Sequence, residues 1–309
     1  MDGDVGAGPG GIAKGLDARE PHTMLGRRGT LPFLVGPPLV WLAVFFLLPL
    51  LLIAAYSIRA GSGAVGPSDP WALSPEHYQE VFGTPAFVRL LGLSVLMAVG
   101  VAGMATILAY PVAYFLTFRA GSRAALYLTL LLVPFCVSYL LRVMAWKLML
   151  GPEGGINSLL GGLGLTDEPI GLLLYSRPAV IITLVYIWIP FAALPIYAAM
   201  QRIERNHLEA AADLGAGPWA RFWRVTVPLS LPGALATFFM VFIPTVGEYV
   251  TPSLVGGTGG IMYGNIIQGF FTRSANWPLG SAMAMVMLIL TLVLVAVALR
   301  VVDLRRVSV

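Results

Sequence analysis

Six long, nearly unbroken apolar runs alternate along this chain with shorter polar connections. A bilayer core takes about twenty consecutive apolar residues per helix, and the runs at 33–57, 88–117, 124–149, 179–201, 229–250 and 281–301 each reach that length. The pattern predicts an all-α membrane protein with six transmembrane helices. The first run follows Arg27-Arg28 and exceeds the apolar core of a signal peptide, so it is expected to remain as an anchor.

One polar interruption stands out between the fourth and fifth runs: E-A-A-A-D-L-G-A-G-P-W-A-R-F-W-R-V-T-V-P, from Glu209 to Pro228. Asn206 with Glu209 three residues later has capping-box spacing, which predicts a short helix opening at His207. Gly215 supplies a stop, Gly217-Pro218 a turn and a restart. In the second short helix Trp219, Phe222 and Trp223 share one face, with Arg221 and Arg224 off it, and Pro228 is expected to end it before the fifth span. Ala210, Ala211 and Ala212 make the first helix narrow enough for a partner to approach closely. A plain interfacial linker has the same pattern.

Composition places the chain in the membrane. Hydrophobic residues make up 58% and charged residues 11%, with mean hydropathy +0.83, whereas soluble domains carry about a quarter charged residues. The net charge of +4 follows from topology. Lys14, Arg19, Arg27, Arg28, Arg119, Arg123, Arg202, Arg205, Arg221, Arg224, Arg300, Arg305 and Arg306 fall on one side, against Arg59, Arg89, Arg177 and Arg273 on the other. The positive-inside rule then puts both termini and the 209–228 stretch in the cytoplasm, and no nucleic-acid partner is needed to explain the basic charge. Residues 1–30 read as a flexible Gly-rich extension. Gly6 to Gly11 match G-x-G-x-x-G formally, but Pro9 interrupts them and no strand precedes. There is no P-loop, no H-E-x-x-H among His22, His77 and His207, and one cysteine, Cys136. These absences argue against a nucleotide, metal or other cofactor bound by this chain, and against catalytic residues.

The stretch Glu209-Ala210-Ala211, then Gly215, then Val225-x-Val227-Pro228 resembles the E-A-A-x3-G-x9-I-x-L-P loop of ABC-importer permeases, with valine at both aliphatic positions. Leu141–Trp146, Gly151–Leu160, Gly247–Pro252 and Trp277–Ala282 resemble the spermidine/putrescine branch of that family, specifically its first permease subunit, and the likeness runs from about residue 30 to 305. The resemblance implies a type I ABC-importer permease fold over 31–309 and a coupling loop at 203–228. Within that loop Glu209, Ala210, Ala211, Asp213 and Gly215 would meet a cytoplasmic ATPase. It also implies a second homologous permease, an ATPase dimer carrying ATP and Mg, an extracytoplasmic binding protein, and location in the bacterial plasma (inner) membrane. Permeases for iron, sulfate, thiamine or phosphonate belong to related branches and remain open as alternatives, as does a secondary transporter.

Ionisable groups within spans each carry a functional reading. Glu248, after Pro244 and Gly247, can meet a protonated amine, with Tyr249 adding a ring face; pairing with Arg142 or solvent is the alternative. Phe135, Tyr139, Arg142 and Trp146 follow the spacing of one helical face in the third span. Arg142 repels a polycation, so a gate or an ion pair suits it better. Tyr139 and Trp146 are candidate pathway residues or belt aromatics. Asn157, Asn265 and Gln268 are candidate polar contacts at the outer mouth, or loop caps.

Overall fold

The computed structural model describes residues 31–61, 72–166 and 168–301, so the expected extension 1–30 lies outside the described residues. The chain forms two compact units, Met1–Leu51 and Leu52–Val309. Among the described residues the fold is helical, apart from one isolated bridge between Arg59 and Leu73. The main helices are α1 (Val35–Ser57), α2 (Glu76–Gly83), α3 (Pro85–Phe118), α4 (Ala124–Leu132), α5 (Tyr139–Leu150), α6 (Gly155–Gly162), α7 (Arg177–Met200), α8 (Arg205–Asp213), α9 (Pro218–Val246), α10 (Tyr263–Thr272) and α11 (Trp277–Val301).

Five of these, α1, α3, α7, α9 and α11, are each long and apolar enough to cross a membrane. The third expected span, 124–149, is not one helix. Gly121–Cys136 and Tyr139–Gly162 meet at 87°, because Pro134 opens a short 3-10 turn and Val137 and Ser138 are extended. Proline has no N–H for the helical ladder, and Ser138 then stands as the first residue outside α5.

The centre of the fold is the packing of α3, α7 and α9. On α3 the residues Ala98, Ala102, Ala105, Ala109 and Ala113 are fully buried, spaced three and four apart so that they form one stripe. Small residues let helix backbones approach in lipid, where hydrophobic driving force between helices is absent. On α9, a Cβ added at Gly233 would lie 2.5 Å from the Ala199 Cβ and 2.6 Å from the Pro195 carbonyl oxygen on α7. The Thr237 hydroxyl donates to the Ala192 carbonyl at 3.0 Å across the same contact. A second cluster joins α2, α3, α10 and α11 through Val81, Leu91, Tyr263, Ile267, Leu279 and Met283. Tyr263 is anchored there by its amide, which donates to Ser94 Oγ at 2.7 Å.

Two boundaries differ from the sequence expectation. Pro228 does not end a helix: α9 runs through it from Pro218 to Val246. The segment Phe222–Thr226 widens into a π-turn, with the Val227 amide bonding back to the Phe222 carbonyl. One wide turn relieves the clash between a proline ring and the preceding turn. At its other end α9 stops at Val246 instead of continuing to 250, and Gly247 caps it.

Candidate functional site

Glu248 lies in the break that follows α9, just before the helical turns of Val250–Gly256. Its Oε1 accepts the backbone amides of Tyr249, Val250 and Thr251 at 3.1, 2.8 and 3.2 Å. A carboxylate suits this place because those amides have no partner within their own helical turn and carry the positive end of its dipole. Its Oε2 accepts the Tyr139 hydroxyl at 2.9 Å, and that hydroxyl also lies 2.6 Å from Thr251 Oγ1. The broken third span and the broken end of α9 therefore meet at a single carboxylate. Glu248 is half-buried, Thr251 is fully buried and Tyr249 is exposed. One oxygen is saturated by amides, while the other keeps a lone pair for a further donor.

Arg142 does not pair with Glu248. Among the described residues the side-chain contacts of ion-pair length join His77 to Glu76 and Glu80 and do not involve Arg142, so the expected ion pair at Arg142 is replaced by stacking. Its guanidinium carbon lies 4.5 Å from the Phe135 ring centroid and 6.0 Å from that of Tyr139. Arg142 is 8% exposed, and its Nε has no hydrogen-bond partner among the described residues. The face predicted from a continuous third span is thus kept across the bend by a cation–π contact. Trp146 turns to α7, with its ring 5.1 Å from that of Tyr186.

The remaining polar candidates are clasps. Asn265 accepts the Met262 amide at 2.9 Å and donates to the Tyr249 carbonyl at 2.8 Å and Ser253 Oγ at 2.7 Å. It thereby fastens α10 to the segment after Glu248. Close approach allows this: a Cβ on Gly264 would meet the carbonyl oxygens of Gly247 and Glu248 at 2.7 and 2.8 Å. Beside them, burial pushes the Tyr263 phenol up to about 12. Gln268 bonds Thr272 along its own helix and does not join this network. Asn157, which is buried, ties the Gly151 carbonyl to the Ile170 amide at 2.9 Å each.

The 203–228 stretch forms a surface elbow. Its helix α8 begins at Arg205 after extended Glu204, with no side-chain cap. Asn206 is already helical and cannot serve as the cap, so the expected capping box with Glu209 does not form. The far end follows expectation. Gly215 sits at φ +82, its amide bonds the Ala212 carbonyl at 2.8 Å, and the Ala216 amide bonds Ala211 at 3.0 Å, the paired closure of a Schellman motif. Glu209, Ala210, Asp213 and Gly215 are exposed and Ala211 is half-buried. Leu214 is 88% exposed; the motif reading passed over it because a lone leucine carries no chemical signal. Phe222 packs edge-on against Tyr110 and Tyr114 of α3, while Trp219 and Trp223 stay exposed.

Relatives give this arrangement its setting. The chain is 36% identical over 248 residues to the spermidine/putrescine transport system permease protein PotB of Haemophilus influenzae, covering 79% of this chain and 84% of that protein. It is 34% identical over 242 residues to PotB of Escherichia coli K12, covering 78% and 86%. In fold it is similar to a chain of the bacterial alginate ABC transporter solved with its alginate-bound periplasmic protein. There the TM-score is 0.68 at 18% identity, over 91% of this chain and 96% of that one. It is also similar to a chain of the MetNI methionine ABC transporter in an inward-facing conformation, with TM-score 0.51 at 20% identity, over 73% and 100%. Both likenesses support the type I importer permease fold. Residues 28–308 match the family described as the binding-protein-dependent transport system inner membrane component, so the chain, with its bent third span and elbow before α9, belongs to that family as an inner-membrane permease subunit of an ABC importer.

Proposed function

We propose that this permease conducts polyamines, received from an extracytoplasmic binding protein, through a pathway whose outer junction is held by Glu248. The observation that carries the reading is the fixed carboxylate itself. It is partly withdrawn from solvent, held by three amides and a phenol, and flanked by Tyr139 and Tyr249. A cationic amine gains from a negative charge that cannot swing away and from nearby ring faces. Relatives at 34–36% identity that are named for spermidine and putrescine support the same substrate class. Arg142, a cation on the adjacent face, acts as a gate that retards the polycation until the third span moves.

In this reading the chain pairs with a second, similar permease, and both termini lie in the cytoplasm. The elbow α8, with Glu209, Ala210, Ala211, Asp213 and Gly215, seats in a groove of a cytoplasmic ATPase that binds ATP and Mg. Closure of the ATPase dimer moves α9 through the elbow.

The test is uptake into proteoliposomes by the complete importer with its own binding protein and ATPase. Radiolabelled spermidine or putrescine should accumulate only with ATP, and Glu248→Gln should reduce the rate several-fold while the complex stays assembled. Uptake of molybdate but not of spermidine or putrescine would overturn the substrate assignment; a relative over about half of the chain is a molybdenum permease from Azotobacter vinelandii.

A further inference from the structure

Behind the elbow lies a cleft of ≈ 540 Å³ that the polyamine reading does not use. Its walls come from the last turns of α3 and α7, through Phe118 and Met200, from α8 through Arg205, Leu208 and Glu209, and from α9 through Arg221. The two arginines face it without a neutralising partner. Arg221 Nε is shut off from solvent with no hydrogen-bond acceptor among the described residues. No carboxylate of the described residues lies within ion-pairing distance of either guanidinium, although Glu209 lines the same space. Two guanidinium groups against one carboxylate leave the cleft positive, and an unpaired buried donor on a charged group is destabilising until an acceptor arrives.

We propose that this cleft is a phosphate-group site, gripped by Arg205 and Arg221. Guanidinium presents a planar fork of donors matched to phosphate oxygens. The depth agrees with this chemistry. Phe118 and Met200 are the last residues of two spans, and the exposed Trp219 and Trp223 stand on the first turns of α9, as aromatic residues do at the level of lipid headgroups. The cleft is also far larger than a lone carboxylate requires. Its apolar walls, Phe118, Leu208 and Met200, suit the carbon next to a phosphodiester. The phosphate is thus supplied by an anionic phospholipid headgroup or by a soluble phosphate. Either occupant touches α8 and α9 at once and braces the elbow against the span ends. The site stands whether or not the transported solute is a polyamine.

Native mass spectrometry of the purified importer during titration with phosphatidylglycerol or phosphatidylcholine tests the lipid source. Wild type should retain phosphatidylglycerol in preference, and Arg221→Gln should lower its occupancy roughly tenfold, as expected for loss of one charge-assisted pairing. Arg221→Lys should fall between the two. Arg205→Gln changes an exposed side chain in the first turn of α8 and so keeps the test valid should Arg221→Gln fail to fold. Inorganic phosphate added to delipidated importer tests the soluble source: a rise in melting temperature in wild type that is absent in Arg205→Gln assigns it. The proposal is overturned if neither lipid nor phosphate binding changes in the variants. It is equally overturned if the variants lose the ATPase subunit while binding both ligands as wild type does, because the arginines then serve an acidic protein surface.

Discussion

Tyr139 donates its hydroxyl proton to Glu248 Oε2 across 2.9 Å, over a sequence separation of 109 residues. This bond ties the start of α5 to the break after α9, two places where a span is interrupted. Neither interruption is stabilised by its own helix alone, and each supplies what the other lacks. Glu248 gives an acceptor to Tyr139, the first helical residue after the extended Val137-Ser138, and α5 gives Glu248 a donor that turns its second oxygen inward.

The bond should be measurable as an energetic coupling. Tyr139→Phe and Glu248→Gln are each expected to lower the stability of the purified permease by about 1–2 kcal/mol. The double variant should lose less than the sum, because either change removes the charge-assisted part of the shared contact, Tyr139→Phe by deleting the donor and Glu248→Gln by leaving a neutral amide. Thermal unfolding of the four proteins in one detergent supplies the cycle, and simple additivity would show that the two side chains do not depend on each other.

Gly215 tests the shape of the elbow. No atom crowds the position a Cβ would occupy, so substitution acts only through the backbone at φ +82. Gly215→Ala should destabilise α8 locally by about 1 kcal/mol and reduce ATP-linked uptake, whereas Gly215→Asn should be milder because asparagine visits this region more readily. Equal uptake by Ala and Asn variants and wild type would remove the geometric role given to this glycine.

Leu214 is the exposed apolar side chain next to that glycine. If the elbow seats in an ATPase groove, Leu214→Asp should abolish co-purification of the ATPase while leaving the permease folded and membrane-inserted. Retention of the ATPase by Leu214→Asp would place the contact elsewhere.

Gly233 probes the core. An added methyl would fall within 2.6 Å of two atoms of α7, one of them a backbone oxygen that cannot rotate aside. Gly233→Ala should cost about 1–3 kcal/mol through overpacking, and Gly233→Leu should prevent assembly of α7 with α9. A melting temperature unchanged in Gly233→Ala would mean that the two helices can separate freely at this crossing.

Much of this was legible in the chain because apolar run length reports a span directly. Five of the six predicted runs correspond to single long helices and 124–149 to a bent pair, and Gly215 and Pro218 mark the turn they were expected to mark. Two of the misreadings turn on proline, whose effect on a helix is not fixed by its local sequence. Pro134 lies inside a run that looks continuous by hydropathy, yet the helix bends there. Pro228 looks like a terminator, yet a π-turn carries α9 through it. Which outcome occurs depends on what the neighbouring helices supply, and α3 supplies the packing for Phe222. Similarly, Glu248 was visible as a costly charge near a span end. Its partner Tyr139, distant in sequence, was visible as a candidate pathway residue but not as a partner of Glu248, and Thr251 was visible only as part of the Gly247–Pro252 stretch. Asn206 failed as a cap because helix entry is set two residues earlier, at Glu204.

The wide turn at Phe222–Thr226 has a mechanical consequence. Because the helix is not severed at Pro228, its 29 residues form one strut about 40 Å long, with the elbow at its foot and Val246, two residues from Glu248, at its head. Pro232 and Pro244 lie inside the same helix, so a tilt imposed at the foot reaches the head through a continuous but proline-bearing rod. The proline that reads as a stop sign thereby sits inside the connecting rod, and α9 links the elbow to the turn that carries Glu248 as one continuous helix.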